Sequence, residues 1–215
     1  MDIYLVRHGE TDSNHKHVHQ HPGSTLNDKG REQVARLAIT LSEIEPTDIL
    51  ASPYSRAKES ADILAKTLNL EVVVSPELVE IYRPKNIHGL SYYHPCSLIY
   101  LGKWFFSGRR VFNNDEQGES YASLIERIEK SRDLLESLPA DSRVVVVSHA
   151  VFISFFVAHL CDHKTLSLWR VFLNFANIRR LKNSGVTHLR YVPSSGQGVC
   201  KWSLVEFNKD KHLKG

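Results

Sequence analysis

Four short apolar runs, each cut off at its carboxyl end, limit the fold more than anything else in the chain. Residues 3–6, 48–51, 71–74 and 144–147 are dominated by apolar, mostly β-branched side chains and are too short for helices. Such runs read as strands buried on both faces of a parallel sheet. Three of them end at polar residues that an apolar strand has no structural need for: Arg7-His8, Ser52 with Arg56 shortly after, and Ser148-His149. Each of these three is followed by a loop and a helical pattern. In a doubly wound sheet such carboxyl ends lie together, where the ligand crevice opens. Two histidines, two arginines and a helix N-terminus are therefore expected to converge on one anion. Arginine offers a planar fork of donors suited to phosphate oxygens. Histidine can serve as nucleophile, acid or base near neutral pH. Gly9 is expected to let the backbone turn sharply and approach the anion closely.

Helices are expected between the strands. Asn27 is a candidate cap for one that buries Val34, Leu37, Ala38 and Leu41. Ser52-Pro53 reads as the start of a second, with Ala57, Ala61, Leu64, Ala65 and Leu68 on its buried face and Arg56 beside its free N–H groups. A third starts near Glu119-Ser120, buries Tyr121, Leu124, Ile125, Ile128 and Leu135, and stops at Pro139. Residues 186–191 and 202–207 read as a hairpin joined through Ser194-Ser195-Gly196-Gln197-Gly198, and residues 173–180 as a crossing back to the sheet. Residues 92–118, rich in aromatics from Tyr92 to Phe112, read as a cap of short helices whose aromatics mostly pack it onto the body. The tail from Lys209 is polar and reads as frayed. The expected fold is a three-layer α/β/α arrangement around a mostly parallel, doubly wound sheet. It forms a single domain over residues 1–215 with a cap insertion at about 82–118.

Composition narrows the partners. A net charge of +3 is too small to argue for nucleic acid. Cys96, Cys161 and Cys200 show no CxxC spacing and read as reduced thiols in a cytoplasmic protein. Residues 144–161 approach membrane-spanning length, yet Ser148, His149, Ser154 and His159 interrupt them, so a strand, a turn and a buried helix are expected and no membrane partner. His15, His17, His19 and His21 alternate, which in an extended segment would set all four on one side. No cysteine or carboxylate completes a zinc spacing there, so the loop reads as solvated and mildly basic, and no metal is expected.

Leu5-Val6-Arg7-His8-Gly9-Glu10-Thr11, with Asn14 after it, resembles the signature of the histidine phosphatase superfamily. The likeness continues at Leu26, Gly30 and Gln33, at Ser52-Pro53 with Arg56-Ala57, and at Leu78 with Glu80. It resumes at Gly118-Glu119-Ser120-Tyr121, Val147-Ser148-His149, Asn177-Ile178 and the closing strand from Trp202 to Phe207. The chain departs from the pattern at a basic segment, Tyr82 to His88, where the family has a short glycine-containing turn. It departs again at Ala150, which follows the second histidine where the family mostly has glycine.

The resemblance implies a phosphoglycerate mutase-like fold and a set of roles. His8 would be the nucleophile that becomes phosphohistidine. Arg7, Arg56 and His149 would hold the phosphoryl oxygens, with Asn14 adding a side-chain donor. Glu80 would protonate the leaving oxygen, which needs a carboxyl that carries a proton at neutral pH. His8 has to be neutral to attack, whereas His149 would be more useful protonated. Arg83, Lys85, Arg109 and Arg110 are candidates for reading the rest of the substrate. The implied activity is metal- and cofactor-independent hydrolysis of a small phosphomonoester by a monomer or homodimer. The alternatives are a phosphoglycerate-type mutase, which would need a longer insertion and an ordered tail to keep water out, and a non-catalytic phospho-ligand-binding module.

Overall fold

The computed structural model describes residues 1–107, 113–161, 170, 174, 178, 180–193 and 199–213. The strands are β1 (Asp2–Arg7), β2 (Asp48–Ala51), β3 (Val72–Val74), β4 (Asn113–Asn114), β5 (Gly118–Glu119), β6 (Arg143–Ser148), β7 (Val186–Tyr191) and β8 (Trp202–Lys209). Six of them form the central sheet in the order β3-β2-β6-β1-β7-β8, and β4 and β5 form a separate ribbon. β1, β2, β3 and β6 run parallel, while β7 lies antiparallel to β1 and pairs with β8 as the expected hairpin.

The helices are α1 (Asp12–His15), α2 (Asp28–Ser42), α3 (Ser55–Leu68), α4 (Pro95–Phe105), α5 (Tyr121–Glu136) and α6 (Ala150–Ala158). Alternation along the strands makes two cores. Ile3, Leu5, Leu50, Val144 and Val146 face α5, α6 and Trp104 of α4. Val6, Ile49, Ala51, Val145 and Val147 face α2 and α3. The three layers are therefore present. The apolar stretch at 144–161 resolves into β6, the turn at His149, and α6, whose residues Ala150 to Phe156 are all buried. No helix among the described residues is long and apolar enough to cross a membrane.

Local chemistry explains most element ends. Asn27 caps α2 by accepting from Gly30 N at 2.8 Å, and Ser120 caps α5 through Ser123 N at 3.2 Å. α3 departs from expectation: Tyr54 is its N-cap, without a side-chain cap bond, so Ser52 does not start the helix. The Ser52 hydroxyl is engaged elsewhere.

The cap aromatics also divide. Trp104 is buried, and Tyr100 and Phe105 pack on the core, but Tyr92, Tyr93 and Phe106 are exposed. The cysteine reading is corrected: Cys161, past the end of α6, is bonded to Cys200, just ahead of β8, with Cα atoms 5.3 Å apart. A pair separated by 39 residues leaves no spacing signal in the sequence. Only Cys96 is free. The tail is not frayed as far as Leu213. Lys211–Leu213 forms a helical turn, and the His212 ring bonds the backbone of Ser184. Asn177, Phe112 and the 194–198 loop lie outside the described residues.

Candidate active site

Sheet order brings the three polar strand ends together. β6 lies between β1 and β2, with Arg7 opposite Ser148 and both Val6 and Ala51 opposite Val147. His8 N donates to Ser148 O at 3.0 Å and Ser52 N to Val147 O at 3.0 Å, so pairing continues to the polar residues themselves. His8 and His149 are 2% and 0% exposed, and their ring centroids stand 5.2 Å apart.

Hydrogen bonds give His8 a defined face. Its Nδ1 lies 2.7 Å from Gly9 O, and its Nε2 lies 3.2 Å from Nε of Arg56. A carbonyl can only accept and a guanidinium can only donate, so Nδ1 carries the proton and Nε2 the lone pair. Burial, then the charges of Arg56 and Arg7, hold His8 well below the ordinary imidazole range. His149 is held low as well, by burial first and then by Arg56. Both rings therefore favour the neutral form, although a protonated His149 would offer phosphate a charge. Desolvation and neighbouring guanidiniums outweigh its usefulness as a charge. Its Nε2 lies 2.8 Å from the Ser52 hydroxyl, which also accepts from Tyr54 N at 3.3 Å.

The arginines are anchored from behind. Arg7 donates through Nη1 to Leu181 O, while its Nε is buried without a hydrogen-bond partner. Arg56 is 2% exposed and donates Nη1 to His21 O at 3.1 Å. Burial pulls its guanidinium down to about 10, so it stays charged at neutral pH. The Arg56 guanidinium also lies 5.2 Å from the centroid of Tyr54, whose ring meets His149 edge-on. Asn14 closes the first turn after the motif, its Oδ1 accepting from Thr11 N at 3.3 Å.

Gly9 is needed, but not for a sharp turn. A Cβ there would come within 2.5 Å of Gly30 O, and one on Gly30 would run into the Glu10 carbonyl. The two glycines let the nucleophile loop lie directly against α2.

Glu80 is buried at the N-terminus of α6. Its Oε1 accepts from Ile81 N at 2.9 Å and Phe152 N at 3.2 Å, and its Oε2 from Val151 N at 3.2 Å. Sequence reasoning missed the frame that places it. Arg127 pairs through two nitrogens with buried Glu119 at 2.8 and 2.7 Å and donates to Glu77 O and Val79 O at 2.9 and 2.7 Å. Ser148 Oγ holds Leu78 O at 2.7 Å.

The specificity candidates separate. Arg83 is half-buried, and its charge acts on Arg56, His19 and His88. Lys85 is exposed and paired with Asp115. Arg109 and Arg110 lie outside the described residues. The four alternating histidines do not share a side: His15 closes α1, His19 is 8% exposed, and His17 and His21 are exposed. Burial pushes His19 down to about 3. Among the described residues no group of three or more His, Cys, Asp or Glu could hold a metal ion. A cavity of about 460 Å³ lies under α4, lined by Pro84, Ile99, Tyr100 and Trp104 among others, and it touches none of the phosphate-facing groups.

Known proteins resemble this chain along most of its length. A profile of the histidine phosphatase superfamily (branch 1) matches residues 3–192. A protein from Escherichia fergusonii named a probable phosphoglycerate mutase is 27% identical over 219 residues, covering 99% of this chain and 95% of its own. Among solved structures, a putative alpha-ribazole-5'-P phosphatase from Escherichia coli superposes with a TM-score of 0.76 at 19% identity, covering 98% of each chain. A mutant phosphoserine phosphatase from Entamoeba histolytica, in complex with phosphoserine, gives 0.75 at 23% identity, covering 99% of this chain and 98% of that one.

Proposed function

The chain belongs to the histidine phosphatase superfamily, and from that premise we propose that it is a phosphomonoester hydrolase working through phosphate on His8. The observation that carries the proposal is the His8 ring, neutral, with its Nε2 lone pair facing Arg56 and with Arg7 and His149 beside it. A phosphoryl group spreads its charge over equatorial oxygens, so catalysis needs positioned donors more than covalent machinery. Arg7 Nε and His149 Nδ1 are buried without partners, and phosphoryl oxygens are acceptors that suit both.

In the proposed reaction Arg56 shifts its hydrogen bond from His8 Nε2 to the phosphoryl oxygens, which frees the lone pair. Nε2 forms a bond to phosphorus as the ester P–O bond breaks, and the departing oxygen takes, through Glu80, the proton that a monoanionic substrate brings with it. Water then attacks phosphorus and gives its proton back to Glu80. The N–P bond breaks and its electron pair returns to Nε2. The proton on Nδ1 stays there throughout, hydrogen-bonded to Gly9 O. Two guanidiniums supply the positive charge, so activity is expected to survive exhaustive chelation.

The mutase reading is favoured by the name of the Escherichia fergusonii relative. A mutase has to hold a doubly phosphorylated intermediate at both ends while it turns. Near the phosphate-facing groups the described residues add the charge of Arg83, since Arg127 is paired with Glu119, Lys85 with Asp115, and burial keeps His19 neutral. Hydrolysis is the better-supported outcome. The test is to supply 3-phosphoglycerate with a trace of 2,3-bisphosphoglycerate, and separately p-nitrophenyl phosphate, and to follow 2-phosphoglycerate and free phosphate. Phosphate release should dominate, and isomer formation well above it would make the enzyme a mutase.

A further inference from the structure

The turn before β7 wraps the end of the nucleophile strand. Arg7 N donates to Gly185 O at 3.1 Å, and Ser184 N donates to Arg7 O at 2.9 Å and His8 O at 3.3 Å. Ser184 holds φ at +59°, in the left-handed region that costs a non-glycine residue about 1 kcal/mol or more. Between them stands Asn183, whose Nδ2 donates to His8 O at 3.1 Å, Gly9 O at 3.2 Å and Asn14 Oδ1 at 3.1 Å. An amide nitrogen has two protons, so one of them is shared among these three acceptors.

We propose that Asn183 is a positioning residue that selects the reactive tautomer of His8 and aims the amide of Asn14. The proposal rests on the reading of His8 as nucleophile. Gly9 O is the carbonyl that accepts the Nδ1 proton of His8 at 2.7 Å, and Asn183 occupies its second acceptor direction. A carbonyl fixed in this way fixes the proton on Nδ1 and leaves Nε2 bare. If it were free to swing, only Arg56 would hold the tautomer, and that restraint is lost when Arg56 turns to the phosphoryl oxygens. The same side chain shares Asn14 Oδ1 with the Thr11 backbone, so the Nδ2 end of Asn14 is left to donate. One amide thus orients both a nucleophile and a donor on opposite sides of one loop. In the sequence Asn183 sits in Lys182-Asn183-Ser184-Gly185, which reads as an ordinary turn.

The test combines imidazole-nitrogen NMR on labelled enzyme with steady-state kinetics on p-nitrophenyl phosphate, for wild type, Asn183→Ala and the isosteric, donor-free Asn183→Asp. Wild type should show His8 with Nδ1 protonated and Nε2 bare. Both variants should show mixed His8 tautomers, with kcat reduced about 10- to 100-fold and KM changed less. A variant that keeps the single Nε2-bare tautomer and wild-type kcat would overturn the proposal. So would failure of both variants to fold while His8→Ala folds, because Asn183 would then be structural only. A mixed tautomer in the variants alongside a wild type that hydrolyses no phosphomonoester would support Asn183 positioning and sink the proposed function alone. Hydrolysis through His8 with unchanged tautomers would do the reverse.

Discussion

Nε of Arg56 donates to Nε2 of His8 across 3.2 Å, so the guanidinium that would bind phosphate rests on the lone pair that would attack it. The contact does two things. It orients the nucleophile in the free protein, and it places a full positive charge against an imidazole that has to remain neutral. Arg56→Ala should lower kcat/KM by about 10³, the scale seen when a positioned donor to a developing charge is removed. It should also move the acid limb of the kcat/KM profile to higher pH, because His8 loses its second-largest depressing influence after burial. A limb that stays where it was would show that Arg56 does not tune His8.

Stability should fall on acidification. His8, His149 and His19 all lie below their ordinary pKa in the folded state. The unfolded chain therefore binds more protons once the pH drops below about 6.5, and stability rises with pH across that window. Each such group contributes up to about 1.4 kcal/mol per pH unit there. Thermal unfolding followed from about pH 7.5 to 5.5 should show Tm dropping, and His8→Ala should flatten part of the slope. A Tm independent of pH would mean these rings are not buried neutral.

How much of this could be read from the chain depends on whether the signal is local. Arg7, His8, Ser148 and His149 were legible because each interrupts an apolar run, and sheet order does the rest. The α2 cap and the α5 start were legible because Asn27 and Ser120 have side chains that bond their own helix. Ser52 misled for the same reason: a hydroxyl before proline looks like a cap, yet its partner is His149, 97 residues away. Asn183, the bonds from Arg127 to Glu77 O and Val79 O, and the Cys161–Cys200 bond also depend on contacts between distant segments, and no periodicity marks them.

Glu80 sits on the α6 N-terminus, held by backbone N–H groups, so its two possible contributions can be separated. Glu80→Gln keeps the shape. On substrates with poor leaving groups it should cut kcat by about 10²–10⁴, the usual worth of a positioned acid. On p-nitrophenyl phosphate, whose phenolate leaves unprotonated, the loss should be far smaller. Equal losses on both substrate types would assign Glu80 to holding α6 in place.

The Cys161–Cys200 bond closes a loop with a sequence separation of 39. Loop-closure entropy gives such a bond about 4 kcal/mol. For a chain of this size that is about 10 °C in Tm. Protein purified without reductant should titrate one free thiol, and reduction or Cys161→Ser should lower Tm by that order. Three free thiols and an unchanged Tm would contradict the pairing.

The central claim is that phosphate passes through Nε2 of His8. Enzyme mixed with p-nitrophenyl phosphate, quenched rapidly at alkaline pH and digested without acid, should yield a phosphorylated peptide spanning His8. The modification should be stable to base, labile to acid, and missing from His8→Ala, which should also lose essentially all turnover. Turnover with no phosphate on that peptide, phosphate on another residue, or a His8→Ala variant that keeps most of its activity would contradict the account.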